Sequence, residues 1–290
     1  MDWLTDPFAF DFMQRSLIAG LLAVVTTSVI GTWVVLRGLS FMGDALAHGV
    51  VPGIAIAVLL DIHLAIGAAV AAVVMIGAIS LIHRTASLTE DTAIGLLFVG
   101  MLALGVIIIS RSGSFAIDLI AILFGDVLGT TTGDIVVQAV AAVVTIAGVA
   151  LFYRPLLVLA FNEQKAEVLG LNPGLTHFVM MSLITLAVVT SFQTVGTLLV
   201  FGLLIAPPAT ASLMARRVPI LMATATALGA VSVVAGLLVT FHFDTSAGAT
   251  MSGIAVAFFF VTLAAKGIRG RNRPSDAGEK DQSSELSGIG

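Results

Sequence analysis

The chain has 290 residues, of which 58% are hydrophobic and 10% are charged, with a net charge of −4 and a mean hydropathy of +1.11. Soluble domains carry about a quarter charged residues, so the composition excludes a soluble globular protein and indicates a helical membrane protein. The chain has no cysteine, which excludes disulfides and thiolate ligands and leaves oxygen and imidazole for any metal site.

We predict an all-α polytopic bundle of about eight or nine transmembrane helices, since a span needs roughly 20 apolar residues. The acidic N-terminal stretch MDWLTDPFAFDF lacks the basic region of a signal peptide, so the first span is expected to be retained. The candidate spans are Ser16 to Leu36, Ala45 to Leu60, Leu64 to Ile82, Thr92 to Ser110, Asp134 to Leu151, Leu175 to Phe192, Val195 to Leu213, Pro219 to Phe241 and Ala249 to Ala265.

The distribution of lysine and arginine predicts the orientation. These residues cluster at alternate span ends, which places the N-terminus outside and the C-terminus in the cytoplasm of a prokaryotic cell, in a multi-pass plasma-membrane protein. The predicted divisions are a short extracytoplasmic N-terminus (1–15), a transmembrane permease domain (16–268) and a disordered cytoplasmic tail (269–290) rich in polar residues.

The stretch GDALAHGVVPG places two ionisable groups early in this apolar chain. Asp44 and His48 are four residues apart and share one face of a helix. A carboxylate in hydrocarbon costs at least a few kcal/mol, so such a residue usually faces a cavity or a partner. If the helix continues through Pro52, the carbonyl of His48 loses its usual donor.

Three interpretations of that pair stay open from the residues alone. A carboxylate and an imidazole suit a divalent transition cation such as Mn, Zn or Fe(II). The pair can instead be an Asp–His hydrogen bond that joins helices, or part of a proton relay.

A second polar run, from Phe115 to Gly129, is predicted to be a partial or re-entrant helix packed on protein, because it is too short and too polar to cross alone. Asp118 and Asp126 are eight residues apart and can line the outer end of a pathway as metal ligands. Alternatively, Asp126 caps the end of the partial helix or pairs with Arg111.

The charged stretch FNEQKAEVLGLNPG is predicted to form a short amphipathic helix on the cytoplasmic side that ends at Gly170. Asn172 then caps the next span, with Pro173 at its first position. This segment is either a solvated loop or a docking helix for a soluble partner.

The stretch GTLLVFGLLIAPPATASLMARR carries two prolines in mid-membrane. Pro207 and Pro208 free the carbonyls of Leu203 and Leu204. Such a break is tolerated where it is buried in protein or lines a cavity, so it is either a packing kink or part of a pathway. None of His63, His83, His177 and His242, near span ends, is expected to be a ligand.

Together these segments resemble the membrane permease of ATP-binding-cassette importers for manganese, zinc or iron(II). The matching stretches lie between Gln14 and Lys266 and are VVLRGLSFMGDALAHGVVPGIAIA, EDTAIGLLFVGMLALGVIIIS, LFGDVLG, FNEQKAEVLGL, VGTLLVFGLLIAPPATASLMARR and FDTSAGATMSG. The resemblance implies a permease homodimer, two cytoplasmic ATPase subunits and an extracytoplasmic metal-binding protein.

In such proteins the residues matching Asp44 and His48 hold the metal transiently, so Mn(II) or Zn(II) is a transported substrate and no tightly bound cofactor is expected. Relatives often have Ser where Ala47 stands. The segment resembling the ATPase-docking coupling helix spans about 162–171, and its docking residues are Asn162, Glu163, Gln164, Ala166, Glu167 and Gly170.

The permease itself is not expected to be an enzyme, since none of its three lysines lies in a P-loop context. ATP hydrolysis therefore falls to a separate subunit, and no nucleic acid is expected as a partner. Two alternatives remain: a proton-coupled secondary metal transporter with Asp44 as its proton site, and an ATP-driven permease for a chelated cofactor.

Overall fold

The computed structural model describes residues 6–62, 64–85, 90–110, 127–161, 166 and 168–271. Regular structure in these ranges is entirely helical, which confirms the predicted all-α class. Two short 3-10 helices lie at Asp6–Ala9 and Val127–Gly129. The α-helices are α1 (Asp11–Leu36), α2 (Ser40–Gly49), α3 (Val51–Leu59), α4 (Leu64–Thr85), α5 (Glu90–Ser110), α6 (Thr132–Leu151), α7 (Tyr153–Phe161), α8 (Pro173–Val195), α9 (Thr197–Met214), α10 (Val218–Phe243) and α11 (Ala247–Arg271).

In the part of the chain described, seven helical stretches are long and apolar enough to cross a membrane. They are α1, α2 and α3 taken together, α5, α6, α8, α10 and α11. Two shorter apolar helices, Ile66–Ile79 within α4 and Leu199–Met214 within α9, account for the remaining predicted spans. Every predicted span therefore lies on helical structure, and the span from Ala45 to Leu60 lies on two helices.

Helix α1 lies at the centre of the bundle and contacts α6, α8, α9 and α10. Of its most apolar stretch, 67% is buried, against 17% for that of α5. Small residues bring α1 and α10 close together: a Cβ at Gly20 would lie 2.8 Å from a methyl of Val233, and one at Gly229 would lie 2.7 Å from a methyl of Val24. Close approach at small residues is how helices associate where the surrounding solvent is apolar.

Three threonine hydroxyls on α1 donate within the helix, whereas the buried hydroxyl of Ser28 has no hydrogen-bond partner within the described ranges. Thr26, Thr27 and Thr32 each donate to the carbonyl four residues earlier, at 2.8, 2.7 and 2.9 Å. This local bonding allows polar side chains to be buried between helices without an interhelical partner.

The predicted span Ala45 to Leu60 is divided in the structure into α2 and α3, with Val50 between them. Pro52 lies in the first turn of α3, where its missing N–H costs nothing. The N–H of Val50 donates to the carbonyl of Leu46 at 3.2 Å at this break. Pro52 has no N–H to offer the carbonyl of His48 four residues earlier, so the free carbonyl expected at His48 stays a prediction.

Helix α7 was not predicted from the sequence. It follows α6 after a single turn residue and buries Leu156 and Leu159. Its N-terminal Tyr153 ring stands edge-on to the buried ring of Trp33 on α1, with centroids 5.7 Å apart. α7 thereby leads the chain from α6 to the predicted docking segment.

Candidate metal-binding site

The turn between α1 and α2 places the GDALAH stretch. The N–H of Leu39 donates to the carbonyl of Val34 at 3.0 Å, and the N–H of Gly38 donates to that of Val35 at 3.1 Å. Gly38 has φ of +71°. These two bonds form a Schellman motif, which needs a left-handed residue at its glycine position. The motif ends α1 sharply and starts α2 beside it.

Asp44 and His48 lie together on α2, as predicted. The Nε2 atom of His48 is 3.4 Å from Oδ1 of Asp44, and the side chains are 21% and 29% exposed, respectively. Each side chain is therefore covered on most of its surface while keeping a face that a small solute reaches. The two groups are held in one geometry by a single turn of helix.

The distance between Nε2 of His48 and Oδ1 of Asp44 is close to the distance between two ligand atoms of one metal ion. A zinc ion bound tetrahedrally at about 2.0–2.2 Å by one nitrogen and one oxygen holds them about 3.4 Å apart. An octahedral ion with ligands at about 2.1 Å and right angles holds them about 3.0 Å apart. The observed 3.4 Å lies within a few tenths of an ångström of both values, so the spacing is compatible with two ligands of one ion.

Helices α4, α5, α8 and α9 surround α2. A Cβ at Gly43 would collide with the side chain of Leu204 on α9, and one at Gly49 would collide with Met75 on α4. The ring of Phe98 on α5 stands at 67° to the His48 imidazole, with centroids 5.7 Å apart. The two glycines let the neighbouring helices approach on both sides of the Asp–His pair.

The proline pair on α9 packs against α1, where a Cβ at Gly31 would lie 3.2 Å from Cγ of Pro208. Leu204 is followed by proline at both i+3 and i+4, so its carbonyl cannot receive either usual helical hydrogen bond. A Cβ at Gly31 on α1 would collide with this carbonyl oxygen. Close packing of α1 therefore covers the carbonyl, which favours the packing interpretation of the two prolines.

The predicted docking segment is described at Ala166 and from Val168 onward. Ala166 is buried, Gly170 has φ of +69°, and the N–H of Leu171 donates to the carbonyl of Ala166 at 3.0 Å. This six-residue closure is the signature of a second Schellman motif, and it confirms the predicted helix end at Gly170.

The start of α8 also agrees with the sequence. The Oδ1 atom of Asn172 accepts the N–H of Leu175 at 3.1 Å, and Pro173 follows at the first helical position. One turn further, Nδ1 of His177 lies 3.4 Å from Nη1 of Arg37 at the end of α1. That contact joins the start of α8 to the turn that carries α2.

The remaining predicted site residues lie outside the described part of the chain: Asp118, Asp126, Asn162, Glu163, Gln164 and Glu167. Their roles, and the predicted re-entrant helix, stay predictions. At the described end of that segment, the hydroxyl of Ser16 donates to the carbonyl of Val127 at 2.9 Å. Among described residues, no group of three or more His, Asp or Glu side chains is placed to hold a metal.

Sequence reasoning missed two contacts of this site. Phe98 looked like any aromatic residue of an apolar span, and His177 like an ordinary histidine at a span end. Nothing in their local sequence shows that the first meets His48 and the second Arg37, since each contact joins distant parts of the chain.

The fold and this pair of side chains define a polytopic helical membrane protein with a carboxylate–imidazole pair on a helix within its bundle. The family model of the ABC 3 transport family matches residues 9–266, so the chain belongs to that family.

Two proteins with similar sequences are named as membrane proteins of metal transport systems. The chain is 38% identical over 254 residues to the manganese transport system membrane protein MntC of Listeria monocytogenes, covering 88% of this chain and 90% of that protein. It is 34% identical over 260 residues to the chelated iron transport system membrane protein YfeD of Yersinia pestis, covering 90% and 87%. The solved structure of PsaBC from Streptococcus pneumoniae in complex with Fab superposes with a TM-score of 0.80 at 32% identity, over 90% of this chain and 94% of that one.

Proposed function

We propose that this chain is the membrane-spanning permease subunit of an ATP-driven importer of divalent transition-metal ions, Mn(II) or Zn(II) first and Fe(II) next. The Asp44–His48 pair carries the proposal, since its two donor atoms stand at the spacing of two ligands of one ion. The relatives named for manganese and for iron transport support a metal substrate.

In this account Asp44 and His48 receive the ion from an extracytoplasmic metal-binding protein and pass it on by ligand exchange. Carboxylate and imidazole donors suit these ions. Both side chains keep an exposed face, through which water or the next ligand replaces them. A ligand on a transport pathway has to release its ion. Binding by Asp44 and His48 is therefore expected to be transient and weaker than binding at a structural metal site.

In this account the free energy of ATP hydrolysis reaches the permease through the docking segment. Val168 is 88% exposed and Leu169 is 65% exposed, although both follow the buried Ala166 in a charged stretch. Exposed apolar side chains of this kind are suited to burial against another protein. We assign the surface to a cytoplasmic ATP-binding-cassette ATPase, which hydrolyses ATP and biases the permease between outward-open and inward-open states.

A movement of the docking segment can be transmitted to Asp44 and His48 through a few contacting residues. The segment is followed by the Asn172 cap and α8, and His177 on α8 contacts Arg37 immediately before the turn to α2. We propose that two permeases form a homodimer around the pathway, in the plasma membrane, with the N-terminus outside and the C-terminus in the cytoplasm.

The test is uptake of radiolabelled Mn(II) and Zn(II) by vesicles that contain permease, ATPase and binding protein. ATP should drive uptake of at least one ion, and Asp44→Asn should abolish it. The matched control is Asp244→Asn at the end of α10, where φ is 51°, because asparagine tolerates this left-handed conformation as well as aspartate.

Other outcomes separate the alternatives. Uptake driven by a proton gradient without ATP would favour a secondary transporter. Uptake of a chelated metal that is unaffected by Asp44→Asn would favour a permease for a chelated cofactor. Either result would overturn the proposal.

A further inference from the structure

We infer that Phe98 is a positioning residue that fixes the imidazole plane of His48 for ion binding. This inference rests on the proposed function, because it assumes that His48 is a ligand of the transported ion. It concerns a side chain that carries no donor atom and cannot bind a metal itself.

The observation is an edge-to-face ring pair between two helices. The ring centroids of Phe98 and His48 are 5.7 Å apart with an interplanar angle of 67°. Edge-to-face arrangements at such distances are favoured by the charge distribution of aromatic rings. Phe98 is itself held in place, since it is half-buried and packs against the main apolar core on α5, which contacts α2.

Two contacts together restrict the rotation of the imidazole. The ring of His48 turns about its Cβ–Cγ bond, a torsion with broad wells and no strong intrinsic preference. Asp44 holds Nε2 from one side, and the Phe98 ring restricts the plane from another. A ligand held near its bound orientation loses less conformational freedom when the ion arrives, so the ion binds more tightly.

The ring is therefore expected to act on ion affinity and not on the rate of the conformational cycle. Ring pairs of this kind contribute about 2- to 10-fold in an equilibrium constant. Phe98→Leu and Phe98→Met keep an apolar side chain but remove the ring, whereas Phe98→Tyr keeps the ring.

The experiment measures Mn(II) binding to the purified permease by titration calorimetry, without the metal-binding protein, and ATP-driven Mn(II) uptake by vesicles with the complete transporter. Phe98→Leu and Phe98→Met should raise the Kd of the permease for Mn(II) about 2- to 10-fold while changing the maximal uptake rate less than Kd. Phe98→Tyr should leave Kd near the wild-type value. The matched control is Phe260→Leu on α11, which breaks a similar pair with Phe259 (5.6 Å, 75°) at an exposed position far along the chain from the Asp–His pair.

The outcomes are distinguishable from failure of the proposed function. If Asp44→Asn abolishes uptake while Phe98→Leu and Phe98→Met leave Kd unchanged, or lower only the maximal uptake rate, the inference is wrong and the metal site stands. If Asp44→Asn transports normally, the metal site is wrong and the inference falls with it. If Phe98→Leu fails to reach the membrane, Phe98→Met alone decides.

Discussion

The backbone of Gly31 lies directly against the carbonyl oxygen of Leu204, so that α1 and α9 meet without a side chain between them. Two prolines deprive that carbonyl of its helical donors, and a Cα–H group of glycine can approach it as a weak donor. Leu204 also packs its side chain on Gly43, one residue before Asp44. The broken hydrogen-bond ladder of α9 is thus built into the packing beside the Asp44–His48 pair.

The first prediction concerns Gly31→Ala. The added methyl would meet a backbone carbonyl, which cannot swing away like a flexible side chain, so α1 and α9 must separate. Overpacking of this kind costs about 1–3 kcal/mol. The melting temperature of the purified permease in detergent should fall, and transport should fall with it.

Gly77→Ala on α4 is the matched control for Gly31→Ala. A Cβ there meets no atom within 4 Å, and alanine favours helix by up to about 1 kcal/mol over glycine. It should leave the melting temperature unchanged or raise it. An equal fall for both variants would show that the contact with Leu204 is not the cause.

The second prediction concerns a buried amide between three helices. Nε2 of Gln138 on α6 lies 3.0 Å from Oγ of Ser191 on α8 and 3.4 Å from Oγ1 of Thr26 on α1, and all three residues are fully buried. The Oε1 atom of Gln138 has no hydrogen-bond partner. Interhelical hydrogen bonds in membranes average only about 0.6 kcal/mol.

Gln138→Leu should therefore change the free energy of unfolding by less than about 1 kcal/mol, because leucine fills the space and removes an unsatisfied oxygen. Gln138→Ala leaves a cavity and should cost about 2 kcal/mol or more. Thermal denaturation of both variants distinguishes packing from hydrogen bonding. If leucine were as damaging as alanine, the amide itself would be holding the three helices together.

The third prediction concerns the proposed ATPase-docking surface at Val168 and Leu169. Replacing both by serine removes apolar area that is already exposed, so the permease should fold normally while its ATPase no longer co-purifies. Ile62→Ser is the control, since Ile62 is an exposed apolar residue in the loop after α3, at a span end expected on the opposite side. Retention of the ATPase by the double serine variant would contradict the assigned surface.

The sequence predicted the features that depend on local geometry. Asp44 and His48 meet because residues four apart share a helix face, and Gly170, Asn172 and Pro173 lie where capping rules put them. Apolar runs of sufficient length are helices because backbone groups in lipid must be satisfied internally. These predictions needed no knowledge of the bundle.

The contacts between helices could not be predicted in this way. Nothing local distinguishes Phe98 from an aromatic residue that faces lipid, and the contact of Arg37 with His177 joins residues 140 positions apart. The break at Val50 was also missed, since proline is compatible both with a kink inside one helix and with the first turn of a new one.

The central claim is that Asp44 and His48 bind the same transported ion, and a double-substitution comparison tests it most directly. Initial rates of ATP-driven Mn(II) and Zn(II) uptake are measured for Asp44→Asn, His48→Gln and the double variant at equal membrane levels. Ligands of one ion act as a unit, so each single variant should lose nearly all uptake and the double variant no more. Uptake at the wild-type rate by either single variant would contradict the account and leave the pair as a contact that joins helices.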